Sequence, residues 1–343
     1  MRQPMSMSRR AIKLPLACLA LAMLAFGPEV ARAEQFELKV SHFLPPNHTF
    51  QKELTRWGDE LEKASGGRLK LKLYPAAQLG PPQRQFDLVR SGVADISIGL
   101  TGSTPGRYPM TEIVSEAFVA PGGGASSAQS SRRLTELSPA YLASEYPGMK
   151  MLWAMVTSPL KFHTAKVAIR KADDFKGLRI RYAGEQFAEI ITAIGAVPLA
   201  VPPGETQDGL AKGIIDGATF PYEGAQSFDL GTVVKYSLEP GVSTATFVAV
   251  MNPKKFESLP KDLQELIDKT SGPAMAERFG AALDDAEKAG RDYMIAKGVT
   301  ITTLSGDELQ KIKSEVAPLL ENRLDTIEKA GKPARKFLAD YTR

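Results

Sequence analysis

The sequence is poor in the residues from which most enzyme sites are built. Of its 343 residues one is cysteine, Cys18, and three are histidine: His42, His48 and His163. Cys18 lies in an N-terminal segment expected to be removed, so the working protein has no disulfide, no thiol nucleophile and no sulfur metal site. His42 and His48 stand six apart in one loop without an acidic cluster in ligand spacing, and no metal site is expected. "PGGGAS" (121–126) lacks the Lys-Ser/Thr of a phosphate loop and reads as a flexible loop. No Gly-x-Gly-x-x-Gly opens a helix after a strand, and no Gly-x-Ser-x-Gly elbow occurs. No cofactor is expected, and covalent catalysis has little to start from.

Long apolar runs and excess charge are scarce as well. The one extended run, from about Leu14 to Phe26, is too short to span a bilayer comfortably. Arg9, Arg10 and Lys13 precede it and Ala31-Arg32-Ala33 closes it, which is the pattern of an export signal cut before Glu34. The arginine pair leaves both the general secretory and the twin-arginine routes open. The whole chain carries 43 basic and 39 acidic residues. Removing 1–33 takes Arg2, Arg9, Arg10, Lys13, Arg32 and Glu29, leaving 38 against 38. A neutral mature chain points to neither nucleic acid nor an anionic membrane surface.

What is present is a repeated α/β pattern. Phe36, Leu38 and Val40 alternate as a strand. Phe50, Leu54, Trp57 and Leu61 follow at helical spacing, and Leu69, Leu71 and Leu73 alternate again. "QRQFDLVRSG" reads as a helix and "VADISIGL" as the next strand, the alternation of a doubly wound parallel sheet. The pattern returns after residue 150, with "MKMLWAMV", "LKFHTAKVAI" and "GLRIRYAG" as strands and "EQFAEIITAIG" and "ETQDGLAKG" as helices. The two halves rhyme, "LVRSGVADISIG" in one and "LAKGIIDGATFP" in the other, as two lobes of one architecture would. From about Pro260 long helices dominate, broken by a brief strand "VTITTL". Ser305 and Glu308 form a capping-box pair at the start of the last long helix.

One stretch raises a chemical question. In "FKGLRIRYAG" (175–184) a strand turns Leu178 and Ile180 to one face and Arg179 and Arg181 to the other. Either the arginine face is simply wet, or Arg181, just before the Ala-Gly turn, points into a cleft where its planar fork holds a carboxylate.

The blocks "LKVSHFLPPNH", "YPAAQLG", "LVRSGVADISI", "ADDFKGLRIRYAG", "GAVPLAVPPGETQDGLAKGIIDGA" and "MNPKKFESLP" occur in an order and spacing that cover the chain from about residue 36 to 262. In these the chain resembles the DctP-type solute-binding proteins of tripartite ATP-independent periplasmic (TRAP) transporters. The resemblance implies an α/β, two-lobed periplasmic-binding-protein fold with a central cleft and long C-terminal helices. It implies lobe 1 at 34–158 and 247–288, and lobe 2 at 159–246 and 289–343. It implies a periplasmic location, a small organic acid as ligand, the small and large TRAP membrane subunits as partners, and no enzymatic activity. Oligomeric state is left open.

By the same resemblance Arg181 matches the family's carboxylate-binding arginine, and Arg179 its solvated neighbour. Lys161 matches a second cation found in some members, or is a solvated strand lysine. His163 shares its face, or is a hydrogen-bonded core histidine. Phe43, Leu100 and Phe220 stand where polar contact residues are usual in sugar-acid and keto-acid binders. Thr101 and Thr219 neighbour them, and the expected contact set also takes in His42, Tyr222 and Phe247. Apolar residues around one arginine imply a monocarboxylate with an aromatic or extended apolar body. A short keto or hydroxy acid or a C4-dicarboxylate is the alternative ligand, and a sensor for a two-component kinase the alternative role. A secreted small-acid hydrolase would have only His163, Tyr222 and Glu223 to work with.

Overall fold

The structure, a computed structural model, describes residues 34–343 apart from Ala125 and Ala183. The expected export signal lies outside the described residues. Among those described, no helix is long and apolar enough to cross a membrane.

Two sheets organise residues 35–343. Strands β1 (Phe36–Ser41), β2 (Leu69–Tyr74), β3 (Ile96–Leu100), β4 (Lys150–Val156) and β10 (Thr246–Met251) form the first, in the order β2-β1-β3-β10-β4. Strands β5 (Leu160–Thr164), β6 (Arg179–Arg181), β7 (Val197–Leu199), β8 (Gly217–Phe220), β9 (Tyr236–Ser243) and β11 (Thr300–Thr303) form the second, in the order β11-β9-β5-β8-β6-β7. The rhyme in the sequence is a structural repeat. β1 pairs in parallel with β2 and β3, and β6 pairs in parallel with β7 and β8. The aspartate of each rhyming loop ties its strand to the neighbour: Asp95 accepts from the Lys39 amide at 2.8 Å, and Asp216 from the Arg179 amide at 2.9 Å. Neither sheet is wholly parallel, however, since β10 runs against both β3 and β4, and β5 against both β8 and β9.

The helix Thr49–Ala64 buries Phe50, Leu54, Trp57 and Leu61, one face of a 3.6-residue period. The region after Pro260 divides into Lys261–Lys269 and a long helix, Pro273–Ala296. That long helix lies against elements attached to both sheets, and two glycines allow the approach. A Cβ on Gly280 would meet the Ser127 carbonyl oxygen at 2.4 Å, and one on Gly290 the Tyr222 carbonyl oxygen at 2.4 Å. Both obstacles are backbone, so only glycine fits.

The last helices depart from the expected partition. Helix Gly306–Lys329 begins at Ser305, whose hydroxyl accepts from the Glu308 amide as its sequence predicts. Its later residues Leu324 and Ile327, with Phe337 and Tyr341 of the helix Ala334–Thr342, join a core that also contains Phe86, Leu134 and Ala154. The chain end therefore covers the first sheet, whereas the resemblance implies that all of 289–343 belongs to lobe 2. The signal for this return is tertiary burial of apolar side chains on a short amphipathic helix, which chain order does not encode.

Candidate functional site

The repeated βαβ halves bring the carboxyl ends of their parallel strands toward each other, the position where open α/β sheets bind ligands. A small cavity of about 50 Å³ lies there. One water needs roughly 10–15 Å³ by such a measure, so the space holds a few waters or the body of one small molecule. Its walls are aromatic. From the first sheet come Phe43 and Phe247, stacked 6.0 Å apart, and Phe50, edge-on to Phe247 at 4.8 Å. From the second come Phe220 and Phe228, 5.5 Å apart. Leu100, the last residue of β3, completes the apolar lining on the first side.

Arg181 supplies the charge. It is the last residue of β6, is 3 % exposed, and its guanidinium lies 4.3 Å over the Phe220 ring. Nε donates to the Val201 carbonyl and Nη1 to the Thr219 carbonyl, both at 3.2 Å. Among the described residues Nη2 has no hydrogen-bond partner and no carboxylate pairs with the side chain. Burial without a counter-ion draws its pKa down from 12.5 to about 9, so it is still charged at neutral pH. A buried, charged and unpaired fork beside an aromatic cavity is a site prepared for an anion. Its strand neighbour Arg179 is instead neutralised, bonding Asp216 through Nε and Nη2 at 2.9 Å each.

A second polar feature closes the cavity opposite. His48 caps the helix Thr49–Ala64, its Nδ1 accepting from the Phe50 amide at 3.2 Å. Nε2 lies 3.3 Å from Oε2 of Glu223, whose Oε1 accepts from the Thr49 amide at 3.2 Å and the Ser227 hydroxyl at 3.4 Å. Glu223 belongs to the short helix Tyr222–Ser227 that follows β8, so this contact links the two sheets across the cleft. Burial lowers the His48 pKa, and the ring is neutral at pH 7.

The sheets also meet on the far side of the cleft. Arg323 bridges Glu116 and Glu189, each at 2.5 Å, while Gln186 donates to Glu112. Gly102 and Gly184 touch backbone to backbone, since a Cβ on Gly102 would stand 2.9 Å from the Gly184 Cα. The described conformation is thus one in which both halves are drawn together.

Of the residues singled out in the sequence, Arg181, Phe43, Leu100, Phe220 and Phe247 line the cavity together. The others are engaged behind it. Lys161 forms an ion pair with Glu287 and lies 4.9 Å over the Tyr222 ring. Tyr222 donates to Glu239 at 2.8 Å. His163, whose pKa burial pulls down to about 4, bonds the Ser237 hydroxyl at 2.7 Å and the Phe220 carbonyl at 3.0 Å. It holds the strand that carries Phe220. Thr219 donates to the Arg181 carbonyl at 3.2 Å, Thr101 to that of Thr246 at 3.2 Å, and His42 contacts Gln51 at 2.8 Å. His48, Phe50 and Phe228 were missed as cavity residues, and Glu223 was weighed only as an acid–base group. Their side chains arrive from a loop cap and from turns whose direction the alternation of a strand cannot reveal.

Two α/β halves with a small cavity between them, walled by aromatic side chains around one buried arginine, form a cleft suited to binding an anion. Residues 40–326 match the model of DctP, bacterial extracellular solute-binding protein, family 7, and the chain belongs to that family. Its members are extracytoplasmic solute-binding proteins of TRAP transporters, not enzymes. Similar solved structures include a TRAP solute-binding protein from Rhodoferax ferrireducens in complex with copurified benzoate. It is 30 % identical, with 90 % of this chain and 97 % of that one covered and a TM-score of 0.85. A marine-metagenome TRAP protein described as specific for aromatic acids, in complex with 3-hydroxybenzoate, is 30 % identical over 90 % and 97 % of the two chains, with a TM-score of 0.84. A Bordetella bronchiseptica TRAP protein with bound (R)- and (S)-mandelate is 28 % identical over 90 % and 98 %, with a TM-score of 0.83.

Proposed function

We propose that this protein captures a small aromatic monocarboxylate between its two lobes and delivers it to the TRAP membrane subunits. The carrying observation is Arg181: buried, charged, without a carboxylate partner among the described residues, and set at the edge of a cavity walled by phenylalanines. The ligand's carboxylate lies on the guanidinium fork, and its ring takes the space between Phe43 and Phe247 on one side and Phe220 on the other. The benzoate, 3-hydroxybenzoate and mandelate complexes of similar proteins support this ligand class. The export signal is cleaved after Ala33. Lobe 1 comprises 34–158 and 247–288 together with the C-terminal helix, and lobe 2 the remainder. Closure of one on the other buries the ligand, and the closed form is what the membrane subunits recognise.

The small cavity gives a second reading some footing, a short aliphatic keto or hydroxy acid in the same place. A thermal-shift screen of the exported protein separates the two. The panel spans benzoates, mandelates, keto acids, C4-dicarboxylates and sugar acids. Ligand at a hundred times its dissociation constant stabilises the fold by about 2.7 kcal/mol, and the expected hits are aromatic acids. Shifts confined to keto acids or dicarboxylates would replace the aromatic reading. A screen without any shift would overturn carboxylate binding at this site.

A further inference from the structure

An aromatic wall and one arginine would accept many acids equally, yet the cavity is not symmetric. Phe220 lies under Arg181, Phe228 beside Phe220, and His48 beyond Phe228 at 6.5 Å between rings. Next to His48 stands Glu223, 4 % exposed and itself part of the cavity wall. The donors around it fix its form. His48 Nδ1 accepts from the Phe50 amide, so the neutral ring carries its proton on Nε2, facing Glu223 Oε2. The Thr49 amide and the Ser227 hydroxyl give their protons to Oε1. The Thr49 amide and the Ser227 hydroxyl donate, His48 Nε2 stands 3.3 Å from Oε2, and the N-terminus of a 16-residue helix points at the group, which therefore acts as an acceptor. Among the described residues Oε2 has no partner besides His48. The cavity has a cation at one end and a buried anion at the other.

We propose that Glu223, held by His48 and Thr49, is the specificity-determining residue at the far end of the ligand. It selects a neutral, hydrogen-bond-donating substituent there and rejects a second carboxylate. The inference rests on the reading of this cavity as the seat of an aromatic monocarboxylate bound at Arg181. A hydroxyl or amide group on the ring gives its proton to Oε2. A carboxylate in the same place meets a like charge in a desolvated pocket, and binds about tenfold or more weakly than its neutral counterpart. An aromatic monocarboxylate bearing a neutral donor and the dicarboxylate of the same shape differ in this one charge, and Glu223 is the cavity-wall carboxylate that can tell them apart.

The test is calorimetry on the exported protein with benzoate and two isosteric pairs: 3- and 4-carbamoylbenzoate, and isophthalate and terephthalate. The carbamoyl acids match the dicarboxylates in shape and differ in charge. The expected result is a preference of about tenfold or more for the better-fitting carbamoyl acid over its dicarboxylate, with the preference reduced to within about threefold in Glu223→Gln. Glutamine keeps an acceptor for the Thr49 amide, and circular dichroism checks the fold. The wild-type preference is decisive even if the variant does not fold. Equal binding within a pair, or a preference untouched in Glu223→Gln, would overturn the inference while benzoate binding left the site assignment standing. Benzoate binding with neither pair admitted would show the far end closed to any substituent and would also overturn it. Failure of benzoate itself would remove both readings together.

Discussion

Replacing Arg181 with methionine should cost affinity while leaving stability nearly unchanged. The guanidinium is buried without a counter-ion, and its pKa falls from 12.5 to about 9. A fall of that size corresponds to several kcal/mol of desolvation cost on the charged form. Because the folded state binds this proton less tightly than the unfolded chain, the charge weakens the unliganded protein at every pH below about 9. Methionine has similar length and no charge. It removes that cost, and leaves the Val201 and Thr219 carbonyls each short of a donor, a loss of about 1–3 kcal/mol per buried group that offsets the gain. The two effects nearly cancel, and the unliganded variant is therefore expected to melt near the wild-type temperature. Ligand binding loses a charge-assisted, buried interaction worth about 2–5 kcal/mol, which is roughly 30-fold to several thousandfold in dissociation constant. Thermal unfolding with and without benzoate, together with calorimetric titration, measures both. A variant that melts well below wild type and still binds benzoate normally would refute the reasoning, because Arg181 would then be a structural residue.

Gly102→Ala places a methyl 2.9 Å from the Gly184 backbone and should hold the halves apart, lowering benzoate affinity and enlarging the radius of gyration of the liganded protein in X-ray scattering. Unchanged scattering and affinity would show that the two loops do not limit closure. Lys161→Met strands Glu287 in a largely buried position and should cost about 3–5 kcal/mol of stability, read by denaturant unfolding; a loss below about 1 kcal/mol would show the pair to be solvated. Burial raises the Glu112 pKa to about 8, so the folded state holds a proton the unfolded chain gives up near 4.5, and stability should fall as pH rises toward 8. The slope should be visible between pH 6.5 and 8 and absent in Glu112→Gln. Burial holds His42 and His163 near 4, so these rings favour the folded state above 6.5 and the protein should lose stability as pH drops from 6.5 to 4, in melts at graded pH. In Glu112→Gln, which lacks the carboxyl titrating in the opposite sense over the same range, a flat profile would mean that neither ring is buried in solution.

Much of the cleft could be seen in the residues. The alternation of "LRIRY" puts Ile180 and Arg181 on opposite faces, and the Gly-x-x-Asp rhyme marks the two strands, β3 and β8, whose ends carry Leu100 and Phe220. These are local patterns with a fixed geometric meaning. The pairing of Lys161 is not legible in this way. It sits on a strand at the right spacing, yet its partner Glu287 comes from a helix 126 residues later, and nothing in the strand announces that its charge is already met. His48 and Glu223 illustrate the same limit from the other side. Each is unremarkable in its own segment, and only the packing of one half on the other brings a helix cap and a carboxylate together. The chain end is a third case: Phe337 and Tyr341 show an apolar helix face, and burial against Phe86 and Leu134, rather than chain order, decides which half it covers.

The decisive feature is where the ligand's carboxylate sits. A crystal structure of the exported protein with benzoate locates it directly. The expected result is the carboxylate within hydrogen-bond distance of the Arg181 guanidinium and the ring between Phe247 and Phe220. A carboxylate held elsewhere, with Arg181 left unpaired beside an empty aromatic cavity, would contradict it.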